Sequence, residues 1–403
     1  MYPSFFEFFK YTFGIELQFL KLFQMFGFFM VLAFITGGIV ARNSFLRMKR
    51  LGIVEGITTE VKIGEGAGIL GLVFNAIFGF AVGFKAVHGA LNSSVLFDNP
   101  QQFILSSEGN FLGGIVFAIV FGLLYYWEAN KGKLPEPKMV QQTIFPHELL
   151  SEILVIAAIT GIMGAKIFAS IEDWDNFIQD PVASLMSFSG LTYYGGLIFG
   201  AIAVIIYSLR KNIPLKCLMD AAGPTLMAGY AVGRLGCHFS GDGDWGIPIS
   251  GPNKYIAETY SYTKPSWMSF LPDWMWSYSY PHNVAQEGVR MADCVGQYCY
   301  ELSPPVFPTS VYEFIFGMLI VAVLIGIRGK LKYPGLLFGV YLMLNGIERF
   351  LIEGIRVNPR YDYFGYNLSQ AQYIAMGLFV LGIILFLLFR FTGKKFEAHQ
   401  MGR

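Results

Sequence analysis

The stretch FPTSVYEFIFGMLIVAVLIGI, residues 307–327, contains a single charged residue, Glu313. A helix of this length rises about 30 Å, which matches the hydrocarbon thickness of a bilayer. Similar apolar stretches, bounded by charged residues, recur along the chain on both sides of it. They lie approximately at 18–40, 66–90, 110–127, 149–170, 190–208, 217–240, 333–352 and 370–390. The sequence therefore predicts an all-α polytopic membrane protein with about nine transmembrane helices.

The composition agrees with a bilayer as the surroundings of the chain. Of 403 residues, 54% are hydrophobic and only 14% are charged, against about 25% charged in an ordinary soluble domain. This difference excludes a free-floating globular protein. The formal net charge of +1 gives no electrostatic reason to expect nucleic acid as a partner.

The distribution of charge between the predicted spans gives the direction of the chain. Lys and Arg are concentrated in alternate segments, beginning after the first span with Arg42, Arg47, Lys49, Arg50 and Lys62. The positive-inside rule assigns these segments to the cytoplasm, so the N-terminus is expected outside and the C-terminus inside. No basic n-region and no small-residue cleavage site precede the first span, so a removable signal peptide is not expected.

Two segments outside the spans are distinctive. Residues 1–17 predict a short interfacial helix. The phenylalanines that can share one of its faces are Phe5, Phe6, Phe9 and Phe13. Residues 247–306 are polar and rich in prolines, tryptophans and tyrosines, which predicts a small folded head on the outer side. Cys294 and Cys299 in this head can form a disulfide there, and no cysteine or histidine group has metal-site spacing.

Four cations fall inside predicted spans, where a charge at the bilayer centre costs about 2.5–3.5 kcal/mol. Lys85 and Lys166 are expected to snorkel or to pair. Arg234 and Arg349 each lie near the outer end of a span. These two arginines are therefore candidates for function or for a paired structural bond.

The sequence around Arg349 extends this argument. Arg349, Glu353 and Arg356 are spaced i, i+4, i+7 and share one helix face, which can hold a cation–anion–cation cluster. Three guanidiniums under the outer leaflet suit a phosphate, because each gives bidentate hydrogen bonds and keeps its proton. A phospholipid head group is the phosphate available at that depth. The alternative is that the arginines only lock helices together, paired with Glu353, Glu348, Asp242 or Asp244.

Glycines surround Arg234 in MAGYAVGRLGCHFSGDGDWG, residues 227–246. Irregular backbone at membrane depth is tolerated only where it packs in protein or lines a cavity, and the glycines favour a cavity. The polar residues expected to line it are His238, Ser240, Asp242 and Asp244. For His238 the alternative is a hydrogen-bonded interfacial histidine.

These residues resemble a known family. GRLGCHFSGDGDWG at 233–246 is similar to the Gly-Arg-x-Gly signature of the prolipoprotein diacylglyceryl transferases. Four more segments resemble that family's motifs in the same order, namely QMFGF at 24–28, GLTYYGGLIFG at 190–200, PTSVYEF at 308–314 and RFLIEGIR at 349–356. The resemblance covers roughly 18–50 and 147–390.

The chain departs from the family pattern at several positions. Tyr194 occupies the place of a histidine, Cys237 of an asparagine, Phe307 of a histidine and Asn345 of a tyrosine, while the acidic position is kept as Asp242. Segment 55–146 looks like an insertion with two extra spans. The expected organisation is an interfacial helix at 1–17, a first span and basic loop at 18–54, the insertion at 55–146, a core at 147–246, the head at 247–306 and a C-terminal core with a basic tail at 307–403.

The resemblance implies an enzyme of the bacterial inner membrane with its active site towards the periplasmic side. The family moves the diacylglyceryl group of phosphatidylglycerol to the lipobox cysteine thiol of preprolipoproteins and releases glycerol 1-phosphate, without a cofactor or metal. Arg234 and Arg349 are then expected to bind the phosphate and stabilise its charge. The other expected substrate-binding residues are Arg356, Glu353, Asp242, Cys237, Gly233, Gly236, Phe26, Tyr312 and Glu313.

The base that activates the thiol is left open by these departures. Tyr194, with a phenol that is protonated at neutral pH, is expected to act first as a hydrogen-bond donor. Either His238 is the base or the field of the arginines alone favours the thiolate. Two other classes also fit the sequence: a catalytically altered relative that binds lipid or lipoprotein, and a lipid transporter or flippase.

Overall fold

A computed structural model describes residues 1–98, 100–181, 184, 192–252, 259–363 and 365–392. The predicted basic tail beyond residue 392 and the first residues of the 190–200 motif lie outside the described residues. The chain divides into two compact units. Unit 1 contains Met1–Glu55 and Ile213–Arg403, and unit 2 contains Gly56–Asn212.

The described residues of unit 1 form six α-helices. They are α1 (Phe5–Phe13), α2 (Met25–Arg50), α10 (Leu215–Ser240), α11 (Thr309–Ile327), α12 (Leu336–Glu353) and α13 (Gln370–Thr392). Helix α10 packs against α2, α11 and α12, and α12 also packs against α13. Met227, Leu324 and Leu337 contribute to a buried core from α10, α11 and α12. Close van der Waals contact stabilises such a core, since lipid is as apolar as the side chains.

The described residues of unit 2 form seven further α-helices. They are α3 (Ile69–Leu91), α4 (Ser93–Asp98), α5 (Pro100–Leu105), α6 (Phe111–Lys131), α7 (Leu150–Glu172), α8 (Trp174–Gln179) and α9 (Tyr193–Arg210). Helix α3 packs against α6, and α7 packs against α9. Strands β1 (Ile57–Ile63) and β2 (Lys138–Ile144) pair antiparallel, with Ile57 opposite Ile144. The predicted insertion thus contains a helical hairpin and a ribbon that joins its two ends.

The polytopic membrane fold is confirmed. Six described helices, α2, α3, α6, α7, α11 and α13, are long and apolar enough to cross a membrane, and α9 is a shorter apolar helix. Helices α10 and α12 also occupy predicted spans, but polar and glycine residues lower their hydropathy. The total of nine spans, like the orientation of the chain, therefore stays a prediction.

The backbone around Arg234 differs from the expectation of an irregular segment. Helix α10 is continuous to Ser240, through Gly229, Gly233 and Gly236, and ends at Gly241 in a left-handed conformation with φ 64°. A Cβ on Gly236 would lie 3.1 Å from Phe29 Cβ of α2. The glycines therefore let α10 and α2 pack closely, which is the usual role of small residues between membrane helices.

A buried carboxylate fixes the start of α12. Asp220 of α10 accepts hydrogen bonds from the backbone N–H groups of Gly335 (2.8 Å) and Phe338 (3.1 Å). These N–H groups have no partner inside their own helix, and the helix dipole also favours an anion at this end. Asp220 thus ties α10 to α12, the two helices that carry Arg234 and Arg349.

Lys85 of α3 is satisfied within the protein. Its ammonium group donates to the carbonyl oxygens of Phe103 (2.9 Å), Ser106 (2.5 Å) and Glu108 (2.8 Å). Of the two expectations for this residue, pairing is therefore the one observed. The contacts fix the segment between α3 and α6.

The predicted head is a folded segment of short elements. Strands β3 (Ser250–Pro252), β4 (Thr259–Ser261), β5 (Val289–Arg290) and β6 (Tyr300–Glu301) form two ribbons, and one-turn 3₁₀ helices occupy Ser266–Met268 and Asp273–Met275. Trp245, Tyr280 and Val306 pack in its core. The disulfide between Cys294 and Cys299 is present. With β1–β2 and a hairpin of β7 (Arg360–Tyr363) and β8 (Tyr366–Ser369), the described fold is mainly, not purely, α-helical.

Residues 1–17 contain a shorter helix than the segment that was predicted. Helix α1 begins after Ser4, whose side chain and that of Glu7 form a capping box, and it ends at Gly14. Phe6 is buried, whereas Phe13 is 60% exposed. The aromatic face therefore divides between packing inside unit 1 and exposure at the surface.

Candidate active site

Three arginines and three carboxylates meet in unit 1. We call them the arginine–carboxylate cluster: Arg234, Asp244, Glu313, Arg349, Glu353 and Arg356. They come from the end of α10, the loop after it, the first turns of α11, and the end of α12 with the turn that follows. The three arginines singled out from the sequence are thus brought together.

Glu313 is the centre of the cluster. Its carboxylate is 0% exposed, accepts hydrogen bonds from Arg349 (3.1 Å) and Arg356 (3.2 Å), and forms an ion pair with Arg234, whose Nε lies 3.3 Å away. The Tyr230 hydroxyl also donates to Glu313, at 2.9 Å. A carboxylate this deeply buried needs such partners, because an unpaired charge in the interior is strongly unfavourable.

The predicted grouping of Arg349, Glu353 and Arg356 is observed, but α12 ends at Glu353, so Arg356 lies in the turn after the helix and not on its face. Arg349 contacts Glu353 at 3.1 Å, and the Nε of Arg356 lies 3.8 Å from the same carboxylate. The side-chain amide of Asn358 donates to the other oxygen of Glu353. Glu353 therefore fixes both arginines relative to one another.

Asp244 closes the cluster on its exposed side. One carboxylate oxygen binds Arg234 and the other binds Arg356, and the side chain is 23% exposed. The Ser310 hydroxyl donates to the Asp244 carbonyl oxygen at 2.6 Å. The Asp244 N–H donates to Asp242 at 3.2 Å, as in an Asx turn. The main chain of Asp244 is therefore held from both sides.

These contacts concern the two hypotheses for the arginines, namely phosphate binding and structural pairing with carboxylates. Every cluster arginine is paired with at least two carboxylates, and Asp244 and Glu353 are among the partners that the structural alternative named. Asp242, the other aspartate considered, accepts a hydrogen bond from the Asp244 N–H and forms no ion pair with an arginine among the described residues. Glu348 is buried at 5% exposure, and neither of its side-chain oxygens has a hydrogen-bond partner among the described residues. An anion that binds these arginines therefore has to displace a carboxylate from at least one of them.

His238 lies in an aromatic environment at the end of α10. It is 7% exposed, its Nδ1 forms a hydrogen bond with the Tyr280 hydroxyl at 3.2 Å, and its ring contacts Trp274 and Tyr278. Burial raises the pKa of the Tyr280 phenol well above its usual value. The hydrogen bond of the simpler alternative is therefore observed, with the histidine buried among aromatic rings and not exposed at the interface.

The other predicted site residues are distributed more widely. Cys237 lies 4.0 Å from Arg234, and the Tyr312 hydroxyl donates to the Met275 carbonyl oxygen at 2.5 Å. Phe26 and Gly236 meet where α2 packs on α10, and Gly233 faces Met30 there. Tyr194 belongs to α9 of unit 2 and is 38% exposed.

Sequence reasoning missed three contributors to the site. Tyr230 lies one helical turn before Arg234, and this i, i+4 spacing places both side chains on the same face of α10. That face could have indicated that Tyr230 contacts the same carboxylate as Arg234, namely Glu313. Asn358 and Ser310 act through contacts that no periodicity predicts. Among the residues described, no group of three His, Cys, Asp or Glu side chains could hold a metal ion.

Comparison with known proteins gives the family. A profile of the family prolipoprotein diacylglyceryl transferase matches residues 114–388, more than half of the chain. The phosphatidylglycerol–prolipoprotein diacylglyceryl transferase of Prochlorococcus marinus is 27% identical over 310 residues, covering 70% of this chain and 93% of its own. That of Dehalococcoides mccartyi is 30% identical, covering 58% and 74%. A third, from Clostridium perfringens, is 27% identical, covering 62% and 83%. The chain belongs to the prolipoprotein diacylglyceryl transferase family.

Proposed function

We propose that this chain transfers the diacylglyceryl group of phosphatidylglycerol to the lipobox cysteine of preprolipoproteins and releases glycerol 1-phosphate. Family membership supports the reaction class. The observation that carries the proposal is the convergence of Arg234, Arg349 and Arg356 on one point in unit 1. Guanidiniums are suited to a lipid phosphate because they stay charged and donate in a planar fork.

The arginines contribute to the chemical step through charge. The substrate thiolate bonds to the carbon of the diacylglyceryl group that carries the phosphate. As it does so, the bond from that carbon to the phosphate oxygen breaks. Its electron pair stays on the phosphate, where Arg234 and Arg349 stabilise it. A well-placed donor of this kind contributes about 3–4 kcal/mol to lowering the barrier.

The buried carboxylates position these guanidiniums. Glu313 and Glu353 are both 0% exposed in their side chains and hold the arginines from three chain segments. A displacement of about 1 Å in a reacting group can cost about 100-fold in rate. Arg356 and Glu353 therefore act as orienting residues, and Glu313 links them to Arg234.

The thiol needs help to ionise, because a free cysteine is only a few per cent thiolate at neutral pH. The aromatic surroundings of His238 favour the positive field of the arginines over His238 as the source of this help. Tyr194 is assigned a hydrogen-bond donor role. Full transfer by His238→Ala supports the field; a loss of 100-fold or more, with normal folding, returns the base role to His238.

The remaining site residues have supporting roles in this proposal. Cys237 and Asp242 interact beside Arg234 and border the phosphate position. Phe26 and Gly236 set the distance between α2 and α10, and Gly233 lies in the same contact. Tyr312 directly precedes Glu313 in the sequence. Its hydroxyl fixes the head loop by donating to the Met275 carbonyl oxygen.

We place the enzyme in the bacterial inner membrane, with nine spans, the N-terminus outside and the cluster towards the periplasm. The distribution of Lys and Arg supports this direction. Single cysteines introduced at Asp293 of the head and at Lys330 after α11 test it with a membrane-impermeant thiol reagent. Labelling at position 293 only, in intact cells, agrees with the direction; labelling at position 330 only contradicts it.

The transfer itself is tested by mass spectrometry of a co-expressed lipobox reporter in cells that lack other transferases of this kind. A diacylglyceryl adduct is expected with the natural chain and its loss with Arg234→Ala. Arg290→Ala, which removes an exposed arginine of β5, is the matched control and is expected to keep the adduct. No adduct from the natural chain, at normal expression, refutes the proposal.

A second candidate is a relative that binds lipid or lipoprotein without transfer. Tyr194 and Cys237, at positions where the family pattern has other residues, and the complete pairing of the arginines favour it. The same reporter decides, because bound phosphatidylglycerol without any adduct identifies this second function.

A further inference from the structure

The cluster contains one carboxylate that differs from the other two. Glu313 and Glu353 lie on helices, and their side chains are 0% exposed. Asp244 lies on a loop, and its side chain is 23% exposed. Asp244 bridges Arg234 and Arg356 through its two oxygens. This is the geometry in which a phosphate would accept hydrogen bonds from the same two guanidiniums.

We propose that the phosphodiester of the lipid binds between Arg234 and Arg356, at the position that the Asp244 carboxylate occupies in the lipid-free protein. This inference rests on the proposed function and adds Arg356 as a direct phosphate ligand. Arg349 remains paired with the two buried glutamates and stabilises the charge of the phosphate from the base of the site, as in the proposed function, without binding it directly.

The exchange preserves the charge of the cluster. Three arginines face three carboxylates in the lipid-free protein. A phosphodiester carries one negative charge, so its replacement of Asp244 leaves three negative groups against three arginines. The released phosphate monoester carries about −1.5 to −2 at pH 7. With the monoester bound, the negative charge in the cluster exceeds the positive charge of the three arginines. The return of the Asp244 carboxylate to the arginines therefore favours dissociation of the monoester.

The exchange also requires little movement of the backbone. The carbonyl oxygen of Asp244 is held by Ser310 and its N–H by Asp242. Only the side chain has to rotate away. Gly243, with φ 102°, precedes it and carries no side chain that could obstruct this rotation. Asp244 thus acts as a specificity-determining residue, because an entering ligand must supply an anion in its place. A zwitterionic lipid replaces this charge less effectively, since a cation in its own head group offsets its phosphate.

The first test measures binding of short-chain phosphatidylglycerol to the full chain in detergent. Asp244→Asn removes the competing charge at nearly constant size, so binding is expected to tighten about 10-fold. Asp244→Glu keeps the charge and is expected to bind no more tightly than the natural chain. Asp293→Asn, an exposed carboxylate of the head, is the matched control. Equal or weaker binding by a folded Asp244→Asn variant overturns the proposal.

Separate titrations with inorganic phosphate and glycerol 1-phosphate identify the source of the anion. Tighter binding of phosphatidylglycerol than of inorganic phosphate supports a lipid site. The reverse order overturns the assignment to a lipid.

A second measurement uses the natural chain and does not depend on the folding of a variant. Carbodiimide coupling of an amine, read by peptide mass spectrometry, reports the accessibility of carboxylates. Asp244 is expected to react several-fold faster with saturating phosphatidylglycerol than without it, whereas Asp293 is unchanged. Slower reaction of Asp244 with lipid overturns the proposal.

The reporter assay separates this inference from the proposed function. Tighter lipid binding by Asp244→Asn without any adduct from the natural chain supports the phosphate position and rejects transfer. An adduct from the natural chain, with unchanged binding by Asp244→Asn, rejects the phosphate position and keeps transfer.

Discussion

Replacing Glu313 by glutamine removes the central charge of the arginine–carboxylate cluster at constant side-chain size. Three guanidinium contacts, at 3.1, 3.2 and 3.3 Å, then lose their anion, and the Tyr230 hydroxyl retains at most a neutral acceptor. Three partly buried arginines are left with Asp244 and Glu353. The variant therefore buries an uncompensated positive charge.

The expected magnitude follows from this imbalance. Removing one partner of a buried ion pair costs about 3–5 kcal/mol, because the remaining charge is desolvated without compensation. We expect Glu313→Gln to lower the free energy of unfolding by that amount. Because Arg234 then loses the carboxylate that it shares with Arg349, we also expect transfer to fall about 100-fold or more.

Glu348→Gln is the matched control. Glu348 is also a buried glutamate, but neither of its oxygens has a hydrogen-bond partner among the described residues, so the same substitution removes no described ion pair. We expect its free energy of unfolding to change by less than about 1 kcal/mol. Both variants are measured by chemical unfolding in one detergent, and transfer by the reporter adduct.

The reasoning is refuted if Glu313→Gln is no less stable than Glu348→Gln. It is also refuted in part if Glu313→Gln is much less stable but transfers at the natural rate under conditions where it is folded. The second result would mean that Glu313 supports the fold without positioning the arginines for the reaction.

Three further predictions concern stability. Tyr230→Phe should cost about 1.5–3 kcal/mol in the free energy of unfolding, the usual value of a hydrogen bond to a charged group, and an unchanged value would contradict the contact with Glu313. Gly382→Ala should cost about 1–3 kcal/mol, because its Cβ would lie 2.8 Å from the Gly339 carbonyl oxygen. Gly377→Ala on the same helix meets nothing within 4 Å and should be neutral or stabilising, so equal losses would count against the packing of α12 on α13. Because burial raises the pKa of the Tyr280 phenol, its stabilising contribution is full below its unfolded pKa of about 10 and is lost as pH rises towards the higher folded value. Unfolding midpoints between pH 9 and 11 should therefore fall less steeply for Tyr280→Phe, and parallel curves would exclude this assignment.

The sequence predicted those features that depend on local spacing. Apolar length located the membrane-spanning helices, because a bilayer imposes the same thickness on each of them. The i, i+4 spacing predicted the contact of Arg349 with Glu353, which follows from helix geometry, whereas Arg356 lies beyond the end of α12 and reaches Glu353 from the turn that follows.

Features that depend on long-range packing were not predictable in this way. Glu313 is 36 residues from Arg349 in the sequence, and no local pattern places both at one point. The glycines around Arg234 suggested a broken backbone, since glycine is compatible with either an irregular segment or close helix packing. Only the position of α2 against α10 distinguishes these cases. Likewise, the path of the loop after α10 decides that Asp244, and not Asp242, pairs with the arginines.

The pairing of β1 with β2 has a consequence for how this chain could arise. Because Ile57 lies opposite Ile144, the chain enters and leaves the intervening helical hairpin at adjacent points. A segment with neighbouring ends can be acquired or lost as a cassette, since the flanking chain needs no new path. A shortened chain in which a tight turn joins the two ends is therefore a practical way to test whether the segment between β1 and β2 is dispensable.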